Sequence, residues 1–148
     1  MSESKYQDIK IRSYNFAIKI IHYLDSENIK TIFYSFVDQL LRSSTSIGAN
    51  LIEGKSAHSK KDFIKFYEIA LKSANESKFW ICLLRDGLRL NKSELNKLLA
   101  EAIEISNIIA SIIIKLKETK SNVIKEKYVK YGSNMFDESI TALKELYE

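Results

Sequence analysis

Gln39-Leu-Leu-Arg-Ser-Ser-Thr-Ser-Ile-Gly-Ala-Asn-Leu-Ile-Glu-Gly54 decides how the chain folds. Leu40, Ile47, Leu51 and Gly54 recur at three-, four- and seven-residue steps, the period of one helical face. Between them lie Ser43, Ser44, Thr45, Ser46, Gly48 and Ala49, all small and poor at forming a helix alone. A helix of this composition has to be held by its neighbours, with another backbone packed close against it. Asn50 and Glu53 fall near its end, where a small-residue groove buries polar groups that must find partners.

The matching surface lies in the next helical stretch. Phe63, Phe66, Tyr67, Ala70, Ala74, Ser77, Ile81, Leu84 and Leu88 form its apolar face, and Ala70, Ser73, Ala74 and Ser77 make its middle small. Two such waists, 43–49 and 70–77, allow unusually close antiparallel pairing. Glu76 lies at this waist, so Ser46, Asn50, Glu53 and Glu76 form an expected hydrogen-bonded polar lock. Phe79, Trp80 and Leu83 fall off the core stripe and give the helix a second apolar face.

Two further helices are expected. The first covers 9–24, with Ile9, Tyr14 or Phe16, Ala17, Ile20, Ile21 and Leu24 at helical spacing, and Asp25–Asn28 breaks it. The second begins near Thr31 and runs to Gly54, a residue able to end a helix in the left-handed conformation. Ser59 caps the third, with Asp62 in its first turn. The fourth runs from about Glu94 to Lys117, capped by Asn91 or Ser93. Its polar residues form one narrow stripe, so it is far more apolar than a bundle helix needs to be. That excess calls for a second buried face, against another subunit or the C-terminal segment. Residues 120–148 form an extension, docked or flexible, in which Phe136, Ile140, Leu143 and Tyr147 share one face. The expected architecture is all-α: an antiparallel up-down-up-down four-helix bundle over 1–119, followed by that extension.

Composition agrees. The chain has 148 residues, no proline and only four glycines, which favours long helices over sheet. A single cysteine, Cys82, excludes an internal disulfide and fits a reducing compartment. The N-terminal residues lack the apolar core of a signal peptide, and the longest apolar run, Ile108–Ile114, is too short for a bilayer. A cytoplasmic location without membrane contact is the expectation.

The stretch 39–54 resembles the signature of the S23-like four-helix-bundle family, named for the intervening sequence of bacterial large-subunit ribosomal RNA. That signature reads roughly Gln-Leu-Arg-Arg-Ala-x-x-Ser-Ile-x-x-Asn-Ile-x-Glu-Gly. Gln39, Leu40, Arg42, Ser46, Ile47, Asn50, Glu53 and Gly54 match it; Leu41 replaces the first Arg, and Gly48 stands where Pro is common. Downstream, Phe63, Phe66, Ile69, Ala70, Ser73 and Glu76 are similar to Phe-x-x-Phe-x-x-Ile-Ala-x-Gly-Ser-x-x-Glu, with Lys72 where Gly is usual. The resemblance covers about residues 10–118. It implies a small homo-oligomeric bundle, a pentamer. It also implies kinship with the nucleic-acid-binding accessory proteins of diversity-generating reverse transcriptases. Loss of one Arg of the Arg pair weakens an RNA-binding role at that position.

Charge points the same way. The net charge is +4, and the surplus lies in one segment: residues 55–90 hold eight basic against four acidic side chains, while the rest of the chain balances. The candidate backbone-binding residues are Arg42, Lys55, His58, Lys60, Lys61, Lys65 and Lys72. Lysines act as point charges, which gives salt-sensitive affinity without sequence readout. The alternative is a protein-protein adaptor or scaffold with no nucleic-acid role, whose lysines only solubilise.

Enzymatic chemistry finds no support. There is no phosphate-cradling glycine loop, nucleotide fingerprint or paired-cysteine motif. His22 and His58 have no partner at ligand spacing, so no metal or other cofactor is expected. Helical nucleases of the HEPN type place an Arg five positions before a His; here those positions hold Ala17 and Glu53.

Overall fold

A computed structural model describes residues 2–118, with side chains from Ile9 onward. It contains α1 (Ser2–Ser26), a 3-10 turn (Thr31–Phe33), α2 (Tyr34–Glu53), a second 3-10 turn (Gly54–Ser56), α3 (Lys60–Gly87) and α4 (Lys92–Glu118). The described residues are all helix and short connections. They form the antiparallel four-helix bundle that the two small waists require. The extension over 120–148, with its Phe136–Tyr147 face, lies outside the described residues. The chain groups into two compact units, Met1–Ile109 and Ala110–Glu148, and the packing below is that of the first.

Local chemistry sets the ends of the helices. Ser59 takes an extended backbone and its hydroxyl accepts from the Asp62 amide at 3.1 Å, which satisfies one unpaired N–H at the start of α3. Asn91 does the same for α4, accepting from the Glu94 amide at 3.3 Å. Ser26 closes α1 by donating to the Tyr23 carbonyl at 2.7 Å. Gly54 departs from expectation. Its backbone is right-handed, at φ −53° and ψ −28°, and the chain winds on into the 3-10 turn. The glycine instead packs against an aromatic pair: a Cβ there would stand 3.5 Å from Phe66 Cβ and Tyr67 Cε1. Phe63 stacks on Tyr67 just beyond, with ring centroids 4.6 Å apart.

The core is built from Ile9, Phe16 and Ile20 of α1, Leu40, Ile47 and Leu51 of α2, Tyr67, Ala70, Ala74, Ile81 and Leu84 of α3, and Leu95, Ala102, Ile105 and Ile109 of α4. Phe16 is the inward aromatic of α1. Tyr14 is 63% exposed, and Ile21 also faces water.

Three pairs of helices meet at a defined register. The Arg12 guanidinium grips Glu101 with two bonds, Nε to Oε1 at 2.7 Å and Nη2 to Oε2 at 3.0 Å, joining α1 to α4. At the waist between α2 and α3, the hydroxyls of Ser43 and Ser77 lie 3.0 Å apart and those of Ser46 and Ser73 lie 3.2 Å apart. Residue numbers rise along one helix as they fall along the other, so the pair is antiparallel. Gly48 lies over α1, its absent Cβ 3.7 Å from Ser13 Cβ.

Up to Ile109, every leucine and isoleucine of α4 is buried or half-buried. The large apolar side chains left in water belong elsewhere: Ile11, Tyr14 and Ile21 on α1, Ile52 on α2, Ile69 and Phe79 on α3.

Candidate nucleic-acid interface

The turn between α2 and α3 is short and carries cations at both of its ends. Lys55 sits in the 3-10 turn; His58 follows in the link, Lys60 and Lys61 open α3, and Lys65 comes one turn later. All five are exposed. The amino end of α3 points the same way, so its helix dipole adds positive potential there. Asp62 is the acidic residue of that first turn, and its backbone amide serves the Ser59 cap.

The sequence reading missed one member of the cluster. Lys10 of α1 has its pKa pushed below the usual lysine value, first by burial and then by the charge of Lys55. The two ammonium groups therefore stand close enough to feel one another, although they are 45 positions apart in the chain. Nothing local in the sequence ties Lys10 to Lys55.

Two expected members lie apart. Arg42 is exposed but paired to Asp38 at 3.1 Å, one turn back on α2. It is thirteen residues before Lys55, about 20 Å along the helix. Its charge is therefore both remote and offset. Lys72 is exposed on α3, eleven residues beyond Lys61 and so about 17 Å away. It shares the outer line of α3 with Lys61 and Lys65 rather than the turn itself.

The expected polar lock is partly rearranged. Asn50 Nδ2 donates to the Ser46 carbonyl at 2.8 Å and approaches the Ser46 hydroxyl at 3.0 Å, and that hydroxyl meets Ser73. Ser43 and Ser77 complete the contact, with Ser77 also reaching the Ser73 carbonyl at 2.9 Å. Glu53 is exposed, and Glu76 accepts from Trp80 Nε1 at 3.1 Å on the surface. Neither carboxylate enters the waist. Burying a charge among hydroxyls alone is far more costly than pairing the hydroxyls with each other. The facing serines at 43, 46, 73 and 77 were the readable signal.

Other chemistry is not assembled. A cleft of about 560 Å³ between α1 and α4 is lined by Lys19, His22, Tyr23 and Leu98, together with Glu94, Lys97 and Glu101. Its two carboxylates are already engaged, Glu94 by Lys97 at 2.9 Å and Glu101 by Arg12. Among the described residues no three His, Cys, Asp or Glu side chains gather to hold a metal ion. No helix among them is long and apolar enough to cross a membrane.

Residues 5–111 match the family described as 23S rRNA-intervening sequence protein. The chain belongs to that family. A solved structure from Bacteroides thetaiotaomicron, a protein of unknown function from the S23 ribosomal protein family, is similar at 33% identity and a TM-score of 0.63. The similarity covers 74% of this chain and 97% of the other. No curated protein matches. Membership in the 23S rRNA-intervening sequence family accounts for the sequence shared over 39–54 and 63–76: both segments build the α2–α3 waist. It names no enzymatic activity.

Proposed function

We propose that this member of the 23S rRNA-intervening sequence family is a non-enzymatic, homo-oligomeric accessory protein that binds the sugar-phosphate backbone of RNA or DNA. One observation carries the reading: Lys10, Lys55, His58, Lys60, Lys61 and Lys65 come from three separate segments and collect at one exposed end of the bundle. A patch of this size neutralises a few phosphates and releases their counterions. Alone it is weak. Repeated around an oligomer, a five-membered ring by the family resemblance, it becomes multivalent. The exposed apolar stripe on α1, Ile11, Tyr14 and Ile21, supplies surface for copies to shelter against one another.

The test is a mobility-shift titration of the full chain with structured RNA and duplex DNA at low and moderate salt. Binding at low salt that fades as salt rises is expected. Changing Lys55, Lys60, Lys61 and Lys65 together to Glu abolishes it. No binding at low salt, or binding indifferent to the four changes, refutes the reading in favour of a protein-protein adaptor. Native mass measurement checks assembly, and a monomer refutes that part.

A further inference from the structure

Lys61, Lys65, Lys72 and Phe79 follow one another at steps of four, seven and seven residues, so they share one line along the outer face of α3, which also carries the half-buried Glu68, a carboxylate with a partner of its own, between Lys65 and Lys72. All four are exposed, Phe79 by 55%. The line spans eighteen residues, about 27 Å. Its far end is an aromatic ledge. Phe79 meets Trp80 edge-on at 5.0 Å, and Trp80 stacks on Phe36 of α2 at 6.0 Å, with Phe33 a further 6.2 Å on. Phe36 and Trp80 are half-buried, so the ledge is rigid where it meets the bundle and open at Phe79. Glu76 lies beside it, with one carboxylate oxygen committed to the Trp80 indole.

We propose that this face of α3 holds an unpaired RNA strand: phosphates lie on Lys61, Lys65 and Lys72, and a base stacks on Phe79, with its edge toward Trp80. The inference rests on the backbone-binding reading above and adds the form of the nucleic acid. Cations in a row match a phosphate backbone but do not tell a strand from a duplex. The ring at the end of the row does, because a duplex keeps its base faces covered while an unpaired base offers one to any aromatic surface. The length suits about four nucleotides, the lower end for groove-tracking proteins. Glu76 adds a preference. A carboxylate repels phosphate but accepts from a ribose 2′-hydroxyl, the group that separates RNA from DNA.

Trp80 is the sole tryptophan, so its fluorescence reports on the ledge directly. The experiment titrates the full chain with a uridine-only RNA of about 15 nucleotides, the matching deoxy strand and an RNA duplex of equal length, reading anisotropy and Trp80 emission together. The RNA strand is expected to bind tightest and to quench Trp80. Phe79→Ala is expected to weaken it roughly tenfold, while Phe79→Tyr and duplex binding stay near wild type. If no form binds, the charge reading and this inference fall together. If all forms bind alike and Phe79→Ala changes nothing, the charge reading stands and this inference is refuted. Equal affinity for the RNA and DNA strands overturns the assignment to RNA. A fall in native mass on Phe79→Ala would also overturn the inference, by showing that a second copy covers the ledge.

Discussion

Lys78 is the side chain most out of place in this bundle, and replacing it should stabilise the protein. It is only 4% exposed, between the waist residue Ser77 and the ledge residue Phe79, and among the described residues no acidic group pairs with it. Burial lowers its pKa from 10.5 to about 8. At neutral pH it still carries its proton, so the folded state holds a poorly hydrated charge that the unfolded state hydrates freely. A drop of that size corresponds to about 3 kcal/mol at full strength, and partial access of the amine to water reduces this to about 2 kcal/mol. The sign follows from proton linkage. Between about pH 8 and 10.5 the unfolded chain binds more protons, so stability rises with pH; below about 8 both states are charged and the whole penalty is present. Lys78→Met keeps the stem's volume and removes the charge. Urea unfolding should show the variant about 2 kcal/mol more stable at pH 7, with the difference shrinking toward zero near pH 10.5. Groups that titrate in both proteins, the tyrosines included, cancel in that difference. A variant less stable than wild type at pH 7, or a difference independent of pH, would refute the argument.

The other stability predictions concern the ties between helices. Ser77→Leu places a branched side chain where two hydroxyls now meet at 3.0 Å, and should cost about 2–3 kcal/mol by forcing α2 and α3 apart; an unchanged urea midpoint would mean the helices are not held close. The Arg12 guanidinium, by hydrogen bond and charge, holds the Glu101 carboxyl below its ordinary value of 4.5. This pair therefore stabilises the bundle above about pH 4.5 and is lost as pH falls through the lowered pKa. Glu101→Gln should flatten that part of the acid-unfolding curve and cost about 1 kcal/mol at pH 7, seen as a lower thermal midpoint at pH 7 and a difference that shrinks as pH falls below 4.5.

What the sequence made legible were features that live on one helix. The period of Leu40, Ile47 and Leu51, the Ser59 cap and the small waists are each local patterns, and local patterns carry their own geometry. The chain also declared that α2 and α3 pair, because two runs of small residues are useful only against each other. What it concealed were facts needing a third element. Tyr14 and Phe16 both lie near the apolar stripe of α1, and only the positions of the neighbouring helices bury one and expose the other. Gly54 could end a helix in more than one way, and the Phe63–Tyr67 pair decides for close packing. Glu76 looked like a waist residue by number, but its neighbour Trp80 offers an indole N–H without requiring a charge to be buried.

The candidate interface shows the same division, and this bears on how the surface works. Lys55, Lys60, Lys61 and Lys65 could be read as a cluster because they are sequential. Lys10 could not, since its neighbour Lys55 arrives through the fold. Burial is the larger cause of the lowered Lys10 pKa and the charge of Lys55 the smaller, and the two like charges repel each other when no anion is present. A bundle that needed only solubility would gain by separating them. Their approach is tolerated because Lys10 lies on a rigid helix and Lys55 in a turn pinned by Gly54 against Phe66 and Tyr67. If the surface binds phosphate as proposed, an anion between the two turns that repulsion into attraction. Like charges held together by rigid neighbours are a better mark of an anion site than the number of lysines in the segment.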